Sequence, residues 1–577
     1  MSQSSVAQVM VETLAAAGVK RIYGVVGDSL NGFLQELRKN GKIEWIGVRH
    51  EEAAAFAAGA EAYLTGQLAV CAGSCGPGNM HLINGLYDCH RSRVPVLAIA
   101  AHIPSNEIGT SYFQETHPDR LFSDCSDYCE LISQGSQMPR TLEIAIQTAL
   151  AKKGVAVIAI PGDVAMQKIE VRKPSASIQQ AFPISRPSEF EINQLAKVLN
   201  QAKKTTILAG AGCAGAHSEL IQLAEILKSP IVSTVRGRDA VQFDNPYDVG
   251  LTGLIGFESG YHSIKETDTL VMLGTDFPYT QFYPDKENTT IIQIDVRGEN
   301  LGRRTRIDYG LIGDVKETLL AVLPLLESKQ DDSHLKKFVQ HYNKVRNDLA
   351  SLATGQPGHK PIHPQYVATI VDELAADDAV FTCDVGTPTI WAARYLTMNG
   401  KRKLIGSFNH GSMANALPHA IGAQSSHPGR QVISLSGDGG ISMLLGELLT
   451  LKQHDLPVKV IVFSNGALAF VELEMKAAGI LADGTTLFDP NFAQLAESAG
   501  IFGIRVEDPA DLRNAVAAAL QHKGPAVVDV AVNRTELAMP PTIKVDQAIG
   551  FNLWAMKAVL NGRGDEVLDL ALTNIMR

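Results

Sequence analysis

The chain has 577 residues, 45% of them hydrophobic and 19% charged, with a formal net charge of −10. That length predicts three domains or more, each with its own core. The acidic balance argues against a nucleic-acid partner, which would need a basic face. No apolar run reaches the roughly 18 residues that would suggest a membrane span. Met1-Ser2-Gln3-Ser4-Ser5 lacks the charged-then-apolar plan of a signal peptide, so a cytoplasmic protein is expected.

The first segment alternates helix and strand patterns. Residues 6–17 read as an amphipathic helix, 22–26 as a strand and 51–64 as an alanine-rich helix. A strand at 68–71 runs into the loop Gly73-Ser74-Cys75-Gly76-Pro77-Gly78-Asn79, and 94–100 and 155–160 are further apolar strands. Continuous apolar strands between helices imply a parallel sheet covered on both faces. Residues 173–188 carry three prolines and read as a linker. The same grammar recurs over 205–315. After a charged stretch at 327–332 and a Pro/Gly-rich stretch at 356–361 it recurs again, to about residue 532. The fold class is α/β, with three doubly wound domains expected at 1–183, 184–339 and 340–535, and a helical tail at 536–577.

Seven scattered cysteines suit reduced thiols better than a disulfide framework. The pairs Cys71/Cys75 and Cys125/Cys129 are spaced more widely than a zinc site usually requires. Core thiols are expected, with Cys71 ending a strand and Cys125 and Cys129 on one helical face.

The chemistry concentrates in the third domain. Gly437-Asp438-Gly439-Gly440 follows a short apolar strand, and Ser464-Asn465 follows another, roughly two dozen residues on. Oxygen ligands at neighbouring strand ends can hold one Mg²⁺ and share its sphere with phosphate, and flanking glycines let the backbone approach a diphosphate. In the middle domain Gly210-Ala211-Gly212-Cys213-Ala214-Gly215 fits a dinucleotide fingerprint, but the acidic residue about 20 positions on is missing and Arg236 is expected to end the next strand instead.

Gly-Asp-Gly followed by Asn465 resembles the thiamine-diphosphate motif, with Ser464 in place of its first asparagine. Arg49-His50-Glu51-Glu52-Ala53 resembles the same family's His-Glu segment. The resemblance implies that Glu51 is the catalytic carboxylate, hydrogen-bonded to the cofactor's pyrimidine ring. Glu52 by itself reads as an acidic residue favoured in a first helical turn. Gly411-Ser412-Met413 resembles the segment that contacts the pyrimidine, Met413 lying under the cofactor. The diphosphate loop would comprise Asp438, Gly439, Gly440, Asn465, Gly466, Ala467, Leu468, Ala469, Phe470 and Val471, with Asp438, Asn465 and Ala467 on the metal.

Cys71 to Asn79, Tyr112-Phe113-Gln114-Glu115-Thr116, Gly406 to Met413 and Phe470 to Lys476 carry a finer resemblance to the pyruvate oxidase family, within it to the quinone-linked pyruvate dehydrogenases. It implies Phe113 and Gln114 at the substrate pocket, Phe470 between thiamine and flavin, and Glu474 near the reacting carbon. FAD would lie across the middle domain, touching Thr252, Gly253, Leu254 and Ile255, then Gly274, Thr275, Asp276, Phe277 and Pro278, and Asp295. The implied reaction is oxidative decarboxylation of pyruvate to acetate and CO₂, with electrons passed through FAD to a membrane quinone. A phosphate- and oxygen-dependent pyruvate oxidase and an acetolactate synthase are the alternatives. Sites between subunits imply an oligomer, a homotetramer by resemblance.

In the tail Val545, Ile549, Leu553, Met556 and Leu560 recur at helical spacing, and Val567, Leu568, Ala571, Leu572 and Ile575 make a second stripe beyond Asn561-Gly562-Arg563-Gly564. Packing of the stripes on the core is the default reading. The resemblance instead implies a releasable segment that binds the inner face of the cell membrane. Four Lys/Arg against five Asp/Glu leave little attraction to anionic lipid, so insertion would be hydrophobic.

Overall fold

The computed structural model describes residues 2–171, 184–355, 360–536, 545–561 and 563–574. Most of the two expected linkers, together with Gly562 and Ile575, lies outside the described residues. Three six-stranded sheets follow one another along the chain, and every strand pairing within them is parallel. A separate antiparallel pair, Ser2–Ser5 with Lys168–Val171, ties the two ends of the first domain.

Numbered in chain order within each sheet, the strands of the first and third domains lie side by side as 2-1-3-4-6-5. The middle domain runs 3-2-1-4-5-6, the order of dinucleotide-binding folds, with its switch point between Thr205–Ala209 and Thr269–Leu273. Central strands such as Val96–His102 and Val155–Pro161 are buried at every residue, because helices cover both faces. The helix Ser333–Leu352 runs across position 339/340 and packs on Glu258–Lys265 of the middle domain.

Several local expectations are corrected. The strand expected over 22–26 is Arg21–Gly24, and Val26 is exposed. Cys71 lies inside the strand Ala69–Gly73. Cys125 and Cys129 do not share a helix: the short helix ends at Leu121, and Cys129 sits in the strand Tyr128–Leu131. The Gly210–Gly215 turn opens onto a single 3₁₀ turn, Ala211–Cys213, before the helix His217–Leu227 begins. Arg236 does not end a strand; the strand stops at Ser233 and Arg236 lies in the following one-turn helix, donating to Ser92 O at 2.9 Å.

The first and third domains meet through helices Glu51–Thr65, Pro77–Ser92 and Ala416–Ser426. Alanine and glycine on these helices bring the backbones together: a Cβ added at Gly422 would sit 2.0 Å from Ala57 O. Buried His419 and Asp88 face each other across this packing, 3.2 Å apart. Buried Arg238 joins the middle domain to the third by donating to the carbonyls of Ala392 and Leu396.

Forcing a methyl into such a contact costs about 1–3 kcal/mol. Gly422→Ala is therefore expected to lower the apparent melting temperature by a few degrees in calorimetry. Gly429→Ala, where an added Cβ meets nothing within 4 Å, should leave it unchanged.

Candidate active site

The candidate residues cluster at the carboxyl ends of the parallel strands in all three domains. In the first, His50 accepts the Glu52 N–H at 3.2 Å and caps the helix that Glu51 opens. Glu51 is buried, and its Oε2 lies 2.9 Å from His81 Nδ1. Its Oε1 lies where a Cβ on Gly78 would be only 2.9 Å away, so a side chain at 78 would displace the carboxylate. The rings of His50 and His81 stack at 4.2 Å. Ligand atoms of His50, Glu51 and His81 lie within 4.8 Å of one another, with His50 Nδ1 engaged by the Glu52 N–H and His81 Nδ1 by Glu51. The group is a capped, hydrogen-bonded His–Glu pair.

Glu52 is occupied differently. Its Oε1 accepts Asn84 Nδ2 at 2.7 Å, and Asn84 also bonds Ser412 Oγ at 2.9 Å and His410 Nε2 at 2.8 Å. Glu52 thus serves the contact with the third domain, while Glu51 faces the Gly78 turn. Gln114 joins that turn: its Oε1 accepts from Cys75 Sγ at 3.2 Å, and it crowds Gly76. Phe113 is 78% exposed and touches none of these groups by a hydrogen bond or ring contact.

In the third domain Asp438 follows the strand Val432–Gly437 and opens the helix Asp438–Met443. Its carboxylate accepts the N–H groups of Gly439 (2.7 Å), Asn465 (2.9 Å) and Gly466 (2.7 Å), which draws the two strand-end loops together. Burial raises its pKa, and these three amides work against that shift. Asn465 is half-buried, its Oδ1 accepting the Ala467 N–H at 3.0 Å. Ser464, Asn465 and Ala467 share one strand end, Met413 Cε approaches Gly439, and Leu468 lies beside it.

Ala469, Phe470 and Val471 form the first turn of the helix Ala469–Ala477. Phe470 rests half-buried on the third domain's core. Glu474 is exposed on that helix, whereas Glu472 is buried and paired with Lys476 at 2.8 Å and Arg534 at 2.9 Å.

Carboxylate, amide and carbonyl oxygens at Asp438, Asn465 and Ala467 are a hard donor set suited to Mg²⁺. Among the described residues no hydrogen bond joins Glu51 to the Asp438 loop; the contact runs through Glu52, Asn84, Ser412 and Met413.

Two carboxylates not assigned from sequence support this arrangement. Asp384, at the end of Val380–Cys383, accepts Ala416 N and Gly437 N, and burial pushes it up to about 7. Glu447 Oε1 accepts the N–H groups of both Arg49 and His50 at 3.0 Å, and burial raises it to about 6. Asp384 had a strand-end signal in sequence; Glu447 had none beyond opening a helix.

In the middle domain Thr252, Gly274 and Asp295 all stand at or just after strand ends. Gly274 is pressed against Gly212 at the switch point. Gly253 lies against Phe277, and Thr275 is buried. Leu254 is partly exposed, while Ile255 reaches the cores of both the middle and third domains. Asp276 is held by Arg304 at 2.8 and 2.9 Å, just before Pro278, and Asp295 accepts Asn300 Nδ2 at 3.1 Å. Thr252 Oγ1, Asn300 Oδ1 and Thr305 Oγ1 are buried without a protein partner. Such unsatisfied buried oxygens, one of them just past a strand end, suit a hydroxyl-rich cofactor such as FAD. Asp314 is the N-cap of the helix Val315–Val322.

Three models of thiamine pyrophosphate enzymes match this chain: the N-terminal TPP binding domain over residues 4–121, the central domain over 192–322 and the C-terminal TPP binding domain over 384–530. The chain belongs to the thiamine pyrophosphate enzyme family. YdaP of Bacillus subtilis is 37% identical over 562 residues, covering 96% of each chain. The pyruvate oxidase of Lactiplantibacillus plantarum is 30% identical over 547 residues, 93% of this chain and 90% of the relative. The acetolactate synthase of Arthrospira platensis is 31% identical over 563 residues, 92% and 94%.

In a thiamine pyrophosphate enzyme built this way, Asp438→Ala should abolish Mg²⁺-dependent binding of thiamine diphosphate in calorimetry, with the far-ultraviolet circular dichroism unchanged.

Proposed function

We propose that this chain oxidatively decarboxylates pyruvate to acetate and CO₂ and passes the electrons through FAD to a membrane quinone. Pyruvate enters from the name of the relative that is a pyruvate oxidase. Thiamine diphosphate supplies the carbon nucleophile and electron sink when bound, and FAD accepts the electrons. Asp438, Asn465 and Ala467 would hold Mg²⁺ and, with Gly439 and Gly440, the diphosphate. Glu51, buried beside Gly78, would exchange a proton with the pyrimidine ring, and Met413 would support the bent cofactor. Gln114, beside the same turn, would meet substrate with Phe113. Phe470, on the first turn after the cation loop, would stand toward the flavin held by Thr252 to Ile255, Gly274 to Pro278 and Asp295. A homotetramer completes the sites between subunits.

The observation that carries the quinone arm is the C-terminal segment. Helix Val545–Leu560 rests on Ala469–Ala477 through Gly550, buried Trp554 under Lys476, and Lys557, which donates to Gly479 O at 2.8 Å. Most of the stripe expected to pack inward faces out: Ile549, Met556 and Leu560 are exposed, Leu560 by 78%, with Val559 beside them, while partly exposed Leu553 lies against Gly479. Leu568 and Leu572 of Gly564–Asn574 are exposed too. The docking face is the Gly550/Trp554/Ala558 side, where Gly550 comes close to Ala477 O and Gly479 N and Trp554 and Ala558 are buried. A contiguous apolar stripe on a docked helix supports binding at a bilayer interface, with each Leu-sized side chain worth ~1.5–3 kcal/mol on transfer. The protein is then cytoplasmic and peripheral to the membrane.

Anaerobic addition of pyruvate to the protein with thiamine diphosphate, Mg²⁺ and FAD should bleach the flavin, yield acetate and CO₂, and reduce a quinone analogue. Acetolactate as the product without net flavin reduction would favour the carboligase reading, and acetyl phosphate formed only with phosphate and oxygen the oxidase reading. Glu51→Gln should slow turnover ~10²–10⁴-fold in steady-state assays, whereas Glu52→Gln should retain it. A chain ending at Glu536, which keeps that residue's bonds to His363 (2.6 Å) and Gln365 (2.7 Å), should reduce a soluble dye yet fail to float with liposomes.

A further inference from the structure

Ser464, where the family motif has asparagine, turns its hydroxyl into the third domain rather than toward the cation loop. Its Oγ donates to Asp529 Oδ1 at 2.5 Å. Asp529 is fully buried in the strand Ala526–Ala531, next to the sheet edge, and its Oδ2 accepts Phe492 N at 2.9 Å and Arg505 Nη1 at 2.7 Å. Arg505, on the neighbouring edge strand Phe502–Val506, extends its other terminal nitrogen to Asp489 Oδ2 at 3.2 Å.

Asp489 closes the segment that lies along the loop after Asn465. Leu468 N donates to Thr485 O at 2.8 Å, Leu487 N donates to Gly466 O at 2.8 Å, and Ala467 bridges Thr486. The strand end before Asn465 and the loop after it are therefore tied to the same guanidinium, one through Ser464 and Asp529, the other through Asp489. A fully buried carboxylate needs such partners, since one left unpaired is costly. A loop that offers oxygen ligands to a small octahedral ion needs support beyond the ligands themselves.

We infer that Ser464, Asp529, Arg505 and Asp489 form a positioning circuit for the cation loop, in which Asp529 sets the place of Asn465 without touching the cation. The inference rests on the reading of Asp438 and Asn465 as the cation ligands. The hydroxyl at 464 is then the donor that couples the strand end to the circuit.

Asp529→Asn removes the charge from a fully buried pair with Arg505 and endangers folding, so the test opens the circuit at its two ends instead. Ser464→Ala, Asp489→Asn, their double variant and Asp438→Asn are compared in the full-length protein. Thiamine diphosphate binding is titrated against Mg²⁺ by calorimetry, and the melting temperature is measured without ligands. Each end variant should raise the Mg²⁺ concentration for half-maximal binding by about tenfold, the low end for groups that orient ligands. The ligand-free melting temperature should fall by no more than a few degrees, because Asp529 keeps Phe492 N and Arg505 as partners. The double variant should be no worse than the more severe single one, because an opened circuit cannot be opened twice. Unchanged Mg²⁺ dependence while Asp438→Asn abolishes binding overturns the inference. So do losses that add, and so does a fall in melting temperature without a shift in Mg²⁺ dependence. Intact Mg²⁺-dependent binding in Asp438→Asn would instead remove the reading of the cation loop on which the circuit depends.

Discussion

The close packing of three small-residue helices, Glu51–Thr65, Pro77–Ser92 and Ala416–Ser426, is the constraint on which the rest of this structure depends. Backbone approaches such as Gly422 against Ala57 leave no room for a larger side chain, so the first and third domains have one register relative to each other. That register sets the Glu51 turn and the Asp438 loop in relation through Asn84 and Ser412. It also lets Glu447 of one domain bind the two N–H groups that precede Glu51 in the other. The alanine-rich stretch after Glu51 therefore answers to packing as much as to the dielectric around a carboxylate.

Around that packing, burial of acidic groups is balanced by backbone amides rather than by cations. Asp438 and Asp384 are both raised by desolvation, and both are held by N–H groups at the ends of parallel strands, where successive amides point outward. This suits a site that binds a cation and an anionic cofactor together. A carboxylate already paired with lysine or arginine would offer a metal less. The contrast lies on the next helix, where Glu472 is spent on Lys476 and Arg534. In the middle domain Asp276 is likewise spent on Arg304, which leaves Thr252, Asn300 and Thr305 as its described residues with unmet side-chain hydrogen bonds.

Local pattern made much of this legible. The apolar strands, the Gly-Asp-Gly turn and Asn465 at strand ends, and the helix opening at Glu51 all appear where the periodicity places them. The errors share a cause. Cys125 and Cys129 looked helical because spacing alone cannot tell a helix face from a turn followed by an edge strand. The tail stripe looked like a docking face because apolar residues usually face inward, yet Gly550 and buried Trp554 make the contact at Ala477 and Lys476 while most of the stripe is exposed.

Composition and motif spacing by themselves determined the class of this protein, its three α/β domains and the short list of strand-end groups from which the candidate site is built. Those follow from local rules, a period of two or 3.6 and a turn chemistry that needs glycine. Only the tertiary structure decided that the middle sheet takes a different strand order from its neighbours, and that Glu51 rather than Glu52 faces the Gly78 turn. It alone showed Ser464 joined to Asp529, Arg505 and Asp489. Those facts depend on residues far apart in the chain, and buried polar groups choose their partners by where the packing leaves room, which no local pattern records.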